Sequence, residues 1–215
     1  MTARCAILLA LAAGGCTSYA NRMSATPLGP GAGEIGVALD ALVVERGFEP
    51  IALPLPQFSY RRGLRPGIDV GGAAHLAGAE ASVRLALRER ARVAVAWAGG
   101  LALGFEPVTN NTTDVVYARA VQRVIAELRP RHPDSQWPTW IATAVPSLTF
   151  TGPATMFGGV AGNARFIVRP GAALAARWPL HDGRAMWLEL TAQPAYAIGD
   201  GWIAPSCQGG AAFSF

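Results

Sequence analysis

The sequence contains no lysine, only three cysteines and little charge of either sign. All 18 basic residues are arginine, 14 residues are acidic, and charged residues make up 15% of the chain. The arginines are scattered and form no stripe, so nothing supports nucleic-acid binding. After the first fifteen residues there is no run of about 18 uncharged apolar residues, which a membrane-spanning helix requires. Because 51% of the residues are hydrophobic, we do not expect water to cover the whole surface, and any crossing of a bilayer would use strands.

Motifs for catalysis and for cofactor binding are also missing. His75, His132 and His181 lie in unrelated settings, and none has the spacing of a Ser/His/acid set or of a metal site. There is no glycine-rich phosphate loop and no cysteine pair suited to zinc. The sequence therefore predicts neither an enzyme nor a cofactor.

Residues 1–15 have the pattern of an export signal. Arg4 precedes an apolar run, 5–13, which is too short to span a membrane. The segment Ala13-Gly14-Gly15-Cys16 resembles the lipobox of bacterial lipoproteins. The resemblance implies cleavage before Cys16 and a diacylglycerol on its thiol, with further acylation giving a firm anchor. The alternative is an ordinary secretory signal that leaves Cys16 as a free thiol.

The next segment predicts a flexible tether over residues 16–33. It is rich in Ser, Gly, Pro and Asn and has no hydrophobic periodicity. Thr17 stands where an acidic residue would resemble an inner-membrane retention signal, so the lipoprotein resemblance favours the outer membrane.

From Glu34 onward, apolar residues recur at every second position, which is typical of strands. Small alanines alternate with large residues in 92–105 and suit a narrow interior. The count is ten, or eight if two of the shorter runs are loops, and 165–178 allows a break at Pro170. Strands are predicted at 34–44, 57–61, 68–75, 80–88, 92–105, 139–150, 154–163, 165–178, 184–198 and 207–215.

The last predicted strand, 207–215, ends at an aromatic carboxyl terminus. It resembles the final strand of bacterial outer-membrane β-barrels, which pairs with the first strand and closes the sheet. The resemblance implies an all-β fold for residues 34–215: a closed, antiparallel, up-and-down transmembrane barrel. An even number of strands would leave the tether and the C terminus on the same side of the membrane. The alternative is the edge strand of a soluble sandwich.

One stretch has a different period. Val121, Val124, Ile125 and Leu128 fall at helical spacing, and Thr113 or Asp114 can cap the start. This predicts a short amphipathic helix from Thr113 to Leu128 within a long loop, 106–138, that faces the cell exterior. The helix would act either as a lid over the lumen or as a surface loop.

The strand assignment predicts a set of charged side chains that line the lumen. Because an unpaired ion in a low dielectric costs several kcal/mol, these charges are expected to pair as a plug in preference to lining a wet path. The predicted lumen network is Asp40, Asp69, Glu80, Arg84, Arg165, Arg177 and Glu189.

These features together predict a lipid-anchored barrel of the bacterial outer membrane with a structural or binding role. Its partners would be membrane lipid and the acyl chains on Cys16, with minor passage of small solutes as an added role. A lipid-anchored periplasmic sandwich or lipocalin-like barrel that binds a hydrophobic ligand is the alternative, and a barrel-embedded hydrolase is the third. An apolar outer face would favour the membrane barrel, whereas an apolar interior would favour the ligand carrier.

Overall fold

The computed structural model describes residues 23–46, 49–75, 78–107, 114–132, 137–153, 165–180, 184–199 and 201–215. Within these ranges the regular structure is entirely strand. The predicted signal sequence and Cys16 lie outside the described residues. The strands are β1 (Gly33–Arg46), β2 (Glu49–Arg65), β3 (Ile68–His75), β4 (Gly78–Glu89), β5 (Val93–Pro107), β6 (Asp114–Leu128), β7 (Thr139–Ala144), β8 (Ser147–Pro153), β9 (Arg165–Arg169), β10 (Ala172–Pro179), β11 (Ala185–Ala197) and β12 (Gly201–Ser214).

The strands form one antiparallel sheet that closes on itself. Strands β7 and β8 both pair with β6 and are two halves of one barrel strand, as are β9 and β10, which both pair with β11. The twelve segments therefore make ten barrel strands, and each pairs with its sequence neighbours. The predicted closed antiparallel barrel of ten strands is confirmed.

The first and last strands form the seam. Strand β1 pairs with β12 from Gly36 opposite Ser214 to Leu42 opposite Gln208. Beyond this register Ile35 and Phe215 exchange two backbone hydrogen bonds, of 3.0 and 2.8 Å. The ladder between β1 and β12 therefore extends to Phe215.

Two prolines interrupt the sheet at one place. Pro146 separates β7 from β8, and Pro170 separates β9 from β10. A proline has no N–H to donate to a ladder, yet the neighbouring pairs keep their register and Val145 donates to the Gly171 carbonyl at 2.7 Å. The predicted break at Pro170 is therefore a local loss of hydrogen bonds, and the sheet continues through it.

The predicted helix from Thr113 to Leu128 is wrong, because Asp114–Leu128 form β6. This strand pairs with β5 along its full length. Val121 and Ile125 are buried in the barrel, whereas Val124 and Leu128 are exposed outside. The four apolar residues that match a helical period therefore lie on opposite faces of a strand.

This correction also divides the predicted loop 106–138. The β5–β6 and β6–β7 connections lie at opposite ends of the barrel because β6 crosses between them. The loop therefore cannot lie on one side as a single unit. The predicted strand 154–163 lies outside the described residues, and the barrel closes in ten strands without it.

The barrel has a tether end, where β1 begins and β12 stops, and a far end, where β1 stops and β12 begins. Its outward face carries large apolar side chains, whereas its inward face carries mainly small or polar ones around a few large apolar ones. This alternation follows from the period of two in a strand. We use the name outer belt for the exposed apolar side chains Ile35, Val37, Leu39, Phe58, Tyr60, Val83, Leu101, Leu103, Val116, Val124, Trp140, Leu148, Phe150, Phe166, Val168, Leu174, Leu188, Leu190, Tyr196 and Phe213.

The N-terminal segment 23–32 differs from the predicted tether. It lies against the inside of the barrel at the tether end, with Ser24 and Ala25 buried. Gly31 and Ala32 exchange backbone hydrogen bonds with Gly63 of β2, each at 2.9 Å. Residues 23–32 of the predicted tether are therefore held against the barrel, where carboxylates accept hydrogen bonds from this segment, as described next.

Candidate functional site

The barrel interior is packed with small side chains around a few large ones. Alanines of β5 at positions 94, 96 and 98 are fully buried and contact a cluster with Ile125, Ile141 and Trp187. Ala25 belongs to this cluster, and Met23 packs against it. The N-terminal segment therefore contributes apolar packing to the lumen, and we call residues 23–28 the plug.

A buried ion pair joins β4 and β6, the two neighbours of β5. The Arg123 guanidinium donates two hydrogen bonds to the Glu80 carboxylate, at 2.6 and 2.8 Å. Both side chains are at most 3% exposed, so water does not screen the pair. A Cβ at Gly100 would lie 2.8 Å from Glu80 Oε1, so glycine at this position leaves the space that the carboxylate occupies.

A second buried pair holds the plug. Arg84 Nε donates to Asp69 Oδ1 at 2.7 Å, and Arg84 Nη2 donates to Asp69 Oδ2. Arg84 Nη1 donates to the Ser24 carbonyl, and the Leu28 N–H donates to Asp69 Oδ2 at 3.0 Å. The pair therefore satisfies its own charges and two polar groups of the plug.

Glu127 of β6 also binds the plug. Its carboxylate accepts hydrogen bonds from the Ser24 hydroxyl at 2.6 Å, the Ala25 N–H at 2.9 Å and the Thr26 hydroxyl at 2.9 Å. Arg129 Nε also donates to Glu127, at 3.0 Å, and Arg129 Nη2 donates to Glu89 at 2.9 Å. Partial burial disfavours the charge of Arg129, but its hydrogen bonds to Glu127 and Glu89 outweigh this and raise its pKa.

Another polar group lies nearer the far end of the barrel. Arg119 Nε donates to the Thr149 hydroxyl at 3.0 Å, and its guanidinium lies 5.0 Å from the centre of the Tyr117 ring. The Thr191 hydroxyl donates to Glu189 at 2.9 Å. These side chains are buried, so the interior is polar on this side as well.

The predicted lumen residues lie as follows. Asp69, Glu80 and Arg84 are buried in the two ion pairs, and Glu189 is buried beside Thr191. Arg177 is half-buried, with its guanidinium 5.4 Å from the centre of the Trp187 ring. Asp40 and Arg165 belong to β1 and β9, but their side chains lie outside the described residues.

Sequence reasoning missed the charged residues of β6. Arg119, Arg123 and Glu127 were assigned to the predicted helix, although they alternate with outward residues at a period of two. That alternation, read through to Leu128, was the signal that could have placed them in the lumen. The ion pair between Glu34 and Arg61 was also missed.

The described residues line cavities of two different sizes. A cavity of about 50 Å³ lies beside Met23, Gln57, Glu80, Arg123 and Trp187. A larger cavity of about 440 Å³, the mouth cavity, opens at the tether end between the plug and the barrel wall. Its polar lining includes Ser24, Thr26, Glu34, Arg61, Glu127, Arg129, Arg131, Thr139 and Arg177.

Other kinds of site have no support within the described ranges. No group of three or more His, Cys, Asp or Glu side chains that could hold a metal ion occurs among those residues. In the same part of the chain, no helix is long and apolar enough to cross a membrane.

No protein-family model, no curated protein and no solved structure matches this chain. Its function is therefore inferred from the geometry of the described residues.

Proposed function

We propose that the protein is a lipid-anchored barrel of the bacterial outer membrane, inserted in the bilayer and closed by its own plug and ion pairs. In this proposal its role is structural or binding, and solute passage through the lumen is negligible. The outer belt carries the proposal. Leu101, Leu103 and Leu190 are each more than half exposed, and their neighbours on other strands continue the apolar surface around the wall. Contiguous apolar surface of this extent is unusual on a soluble monomer.

The position of the outward aromatic residues supports the same proposal. Tyr60, Trp137, Trp140 and Phe215 lie toward the tether end and are at least 44% exposed. Phe150 and Phe166, whose ring centroids are 5.1 Å apart, lie toward the far end together with Tyr196. Aromatic girdles at both membrane interfaces are typical of outer-membrane barrels.

The lengths of the strands and the positions of the plug and of Phe215 are compatible with a barrel that spans a bilayer. Most barrel strands contain 12 to 17 residues or are pairs of shorter segments, and a tilted spanning strand needs about 9–11. The plug and Phe215 lie at the same end of the barrel. An anchor on Cys16 and the C terminus would then both be on the inner side of the outer membrane.

The side chains of the inward face argue against the carrier of hydrophobic ligands and against the hydrolase. A carrier of hydrophobic ligands needs an apolar cavity, whereas this lumen contains Arg84, Arg119, Arg123, Glu80 and Glu127 in hydrogen-bonded contacts. A hydrolase needs a nucleophile beside a base and its orienting partner. The described contacts include no set of that kind.

The experiment compares one substitution at two heights on the outer face. Leu101 lies at the middle of β5, and Leu64 lies at the tether end of β2; they are 68% and 56% exposed. In a bilayer, Leu101→Arg is expected to lower the free energy of unfolding by about 2–4 kcal/mol, and Leu64→Arg by about 0–1 kcal/mol. Urea unfolding of the protein folded into phospholipid vesicles measures both.

The two variants form a matched pair because the same side chain replaces leucine at two exposed sites. Equal and small effects would mean that water faces both positions, and the membrane barrel would then be rejected. Failure of the unmodified protein to fold into vesicles, together with a soluble folded state, would reject it as well.

A further inference from the structure

The residues that line the mouth cavity carry more positive charge than their ion pairs neutralise. Its wall contains four arginines, Arg61, Arg129, Arg131 and Arg177, and two glutamates, Glu34 and Glu127. These residues leave a formal surplus of two positive charges. The plug forms one side of the cavity, and the barrel strands with the residues next to them at the tether end supply the rest of its lining.

The four arginines differ in the hydrogen bonds and ring contacts that they make. Arg129 is occupied by Glu127, Glu89 and Thr26. Arg61 donates from Nη2 to Glu34, but its Nη1 is buried and has no hydrogen-bond partner among the described residues. Arg177 contacts the Trp187 ring, and its Nε is likewise buried without a partner among them.

An unsatisfied N–H of a buried charged group is costly, more so than that of a neutral group. The two side chains that carry these donors come from separate strands and line the same cavity, and Glu34 interacts electrostatically with both Arg61 and Arg177. Arg131 is exposed at the cavity lip. Guanidinium groups bind phosphate oxygens through strong charge-assisted hydrogen bonds, and their planar shape suits bidentate contact.

We propose that the mouth cavity binds a phosphate-class oxyanion, with Arg61 and Arg177 donating to it from inside and Arg131 from the lip. The cavity volume of about 440 Å³ lies within the range of small-molecule sites. Two sources carry this chemistry: a phosphate of a soluble solute and the phosphate of a lipid head group at the tether end.

The test is calorimetric titration of the full-length protein, folded in detergent micelles, with inorganic phosphate. Saturable binding is expected, and Arg177→Gln is expected to raise Kd about tenfold or more because a charge-assisted hydrogen bond is lost. The matched control is Arg184→Gln. Arg184 lies at the same end, with its guanidinium 5.6 Å from the centre of the Phe215 ring, and does not line the cavity. The Kd of the Arg184→Gln variant should therefore stay within about twofold of that of the unmodified protein.

Arg131→Gln provides a second variant, because an exposed side chain can be changed without disturbing the fold, and it is expected to raise Kd about threefold or more. Competition by short-chain phosphatidic acid in the same micelles would identify a lipid source, and its absence would identify a soluble one. No saturable binding of either compound, or an unchanged Kd in both Arg177→Gln and Arg131→Gln, would overturn the proposal. Binding in micelles is independent of the membrane test with Leu101, so the two proposals fail separately.

Discussion

At the scale of the residue, Gly63 sets how closely the N-terminal segment approaches the barrel wall. A Cβ at Gly63 would lie 2.1 Å from the Gly29 carbonyl oxygen and 2.8 Å from that of Leu28. No side chain fits there without displacing backbone, and the Gly63 N–H donates to Ala32 at 2.9 Å. Gly63 therefore permits a backbone contact between β2 and the N-terminal segment that any larger residue would prevent.

Glu80 is a residue whose loss should lower stability strongly. Its removal in Glu80→Ala leaves the Arg123 guanidinium buried without its carboxylate, and breaking a buried pair from one side costs about 3–5 kcal/mol. Glu89→Ala is the matched control, because the Glu89 side chain is 48% exposed and an exposed pair contributes about 0–1 kcal/mol. Urea unfolding in vesicles measures the free energy of unfolding of both variants.

The Glu80→Ala variant also distinguishes a lumen closed by paired charges from a water-filled path. In planar bilayers the unmodified protein is expected to be electrically silent, since the charges pair with one another. If it instead conducts in clear steps, and Glu80→Ala changes ion selectivity but not stability, water already solvates Arg123. Transport would then replace the closed barrel as the leading function.

At the scale of the element, the plug is held mainly by side chains of the barrel wall. Glu127 alone accepts hydrogen bonds from Ser24, Ala25 and Thr26. The segment has no strand pairing of its own over residues 23–28. Its order therefore depends on the Glu127 carboxylate, about a hundred residues away in the chain, and on the Asp69 carboxylate, 41 residues from Leu28.

Glu127→Ala is expected to release the plug. In the unmodified protein the Ala25 and Leu28 amides donate to Glu127 and Asp69 at 2.9 and 3.0 Å, and both should resist hydrogen exchange. In the variant the Ala25 amide should exchange at the rate of an unstructured chain, because its acceptor is gone. Hydrogen-exchange mass spectrometry or NMR measures this change.

Glu89→Ala is again the control, since Glu89 also binds Arg129 but contacts no plug residue in the described hydrogen bonds. It should leave the Ala25 amide protected. Rapid exchange of Ala25 in the unmodified protein would contradict the plug itself. Equal loss of protection in both variants would assign the effect to Arg129 and not to Glu127.

At the scale of the whole molecule, the position of the plug limits how far a lipid anchor on Cys16 can lie from the barrel. Met23 lines the interior cavity together with Glu80, Arg123 and Trp187, and only residues 16–22 would separate it from an acylated Cys16. Seven extended residues span at most about 25 Å. The anchor would therefore insert close to the barrel's own rim.

Acylation of Cys16 is the prediction to check here. Mass spectrometry of the mature N terminus should find Cys16 as the first residue, carrying a diacylglycerol on sulfur and a further acyl chain on nitrogen. Growth with a radiolabelled fatty acid should label the unmodified protein and not Cys16→Ala. A free α-amino group on any other residue would contradict the lipobox reading and would leave the belt as the only membrane contact.

The predicted count of ten matches the barrel, although it left out β6 and included 154–163, which lies outside the described residues. What the sequence by itself determined is the alternation of side chains and several of the turns. These follow from local rules, because a period of two and a turn signal are both encoded within a few residues. It also indicated Asp69, Glu80 and Arg84 as inward charges, since each lies opposite apolar neighbours along its strand.

Only the tertiary structure decided the conformation of β6 and the place of the N-terminal segment. Val121, Val124, Ile125 and Leu128 satisfy a helical period as well as a strand, and the hydrogen bonds offered by β5, β7 and β8 select the strand. Residues 23–32 have no local preference because glycine, proline and serine favour no regular element. Their position is set by Glu127, Asp69 and Arg84, which become neighbours only when the sheet closes and brings distant strands around one lumen.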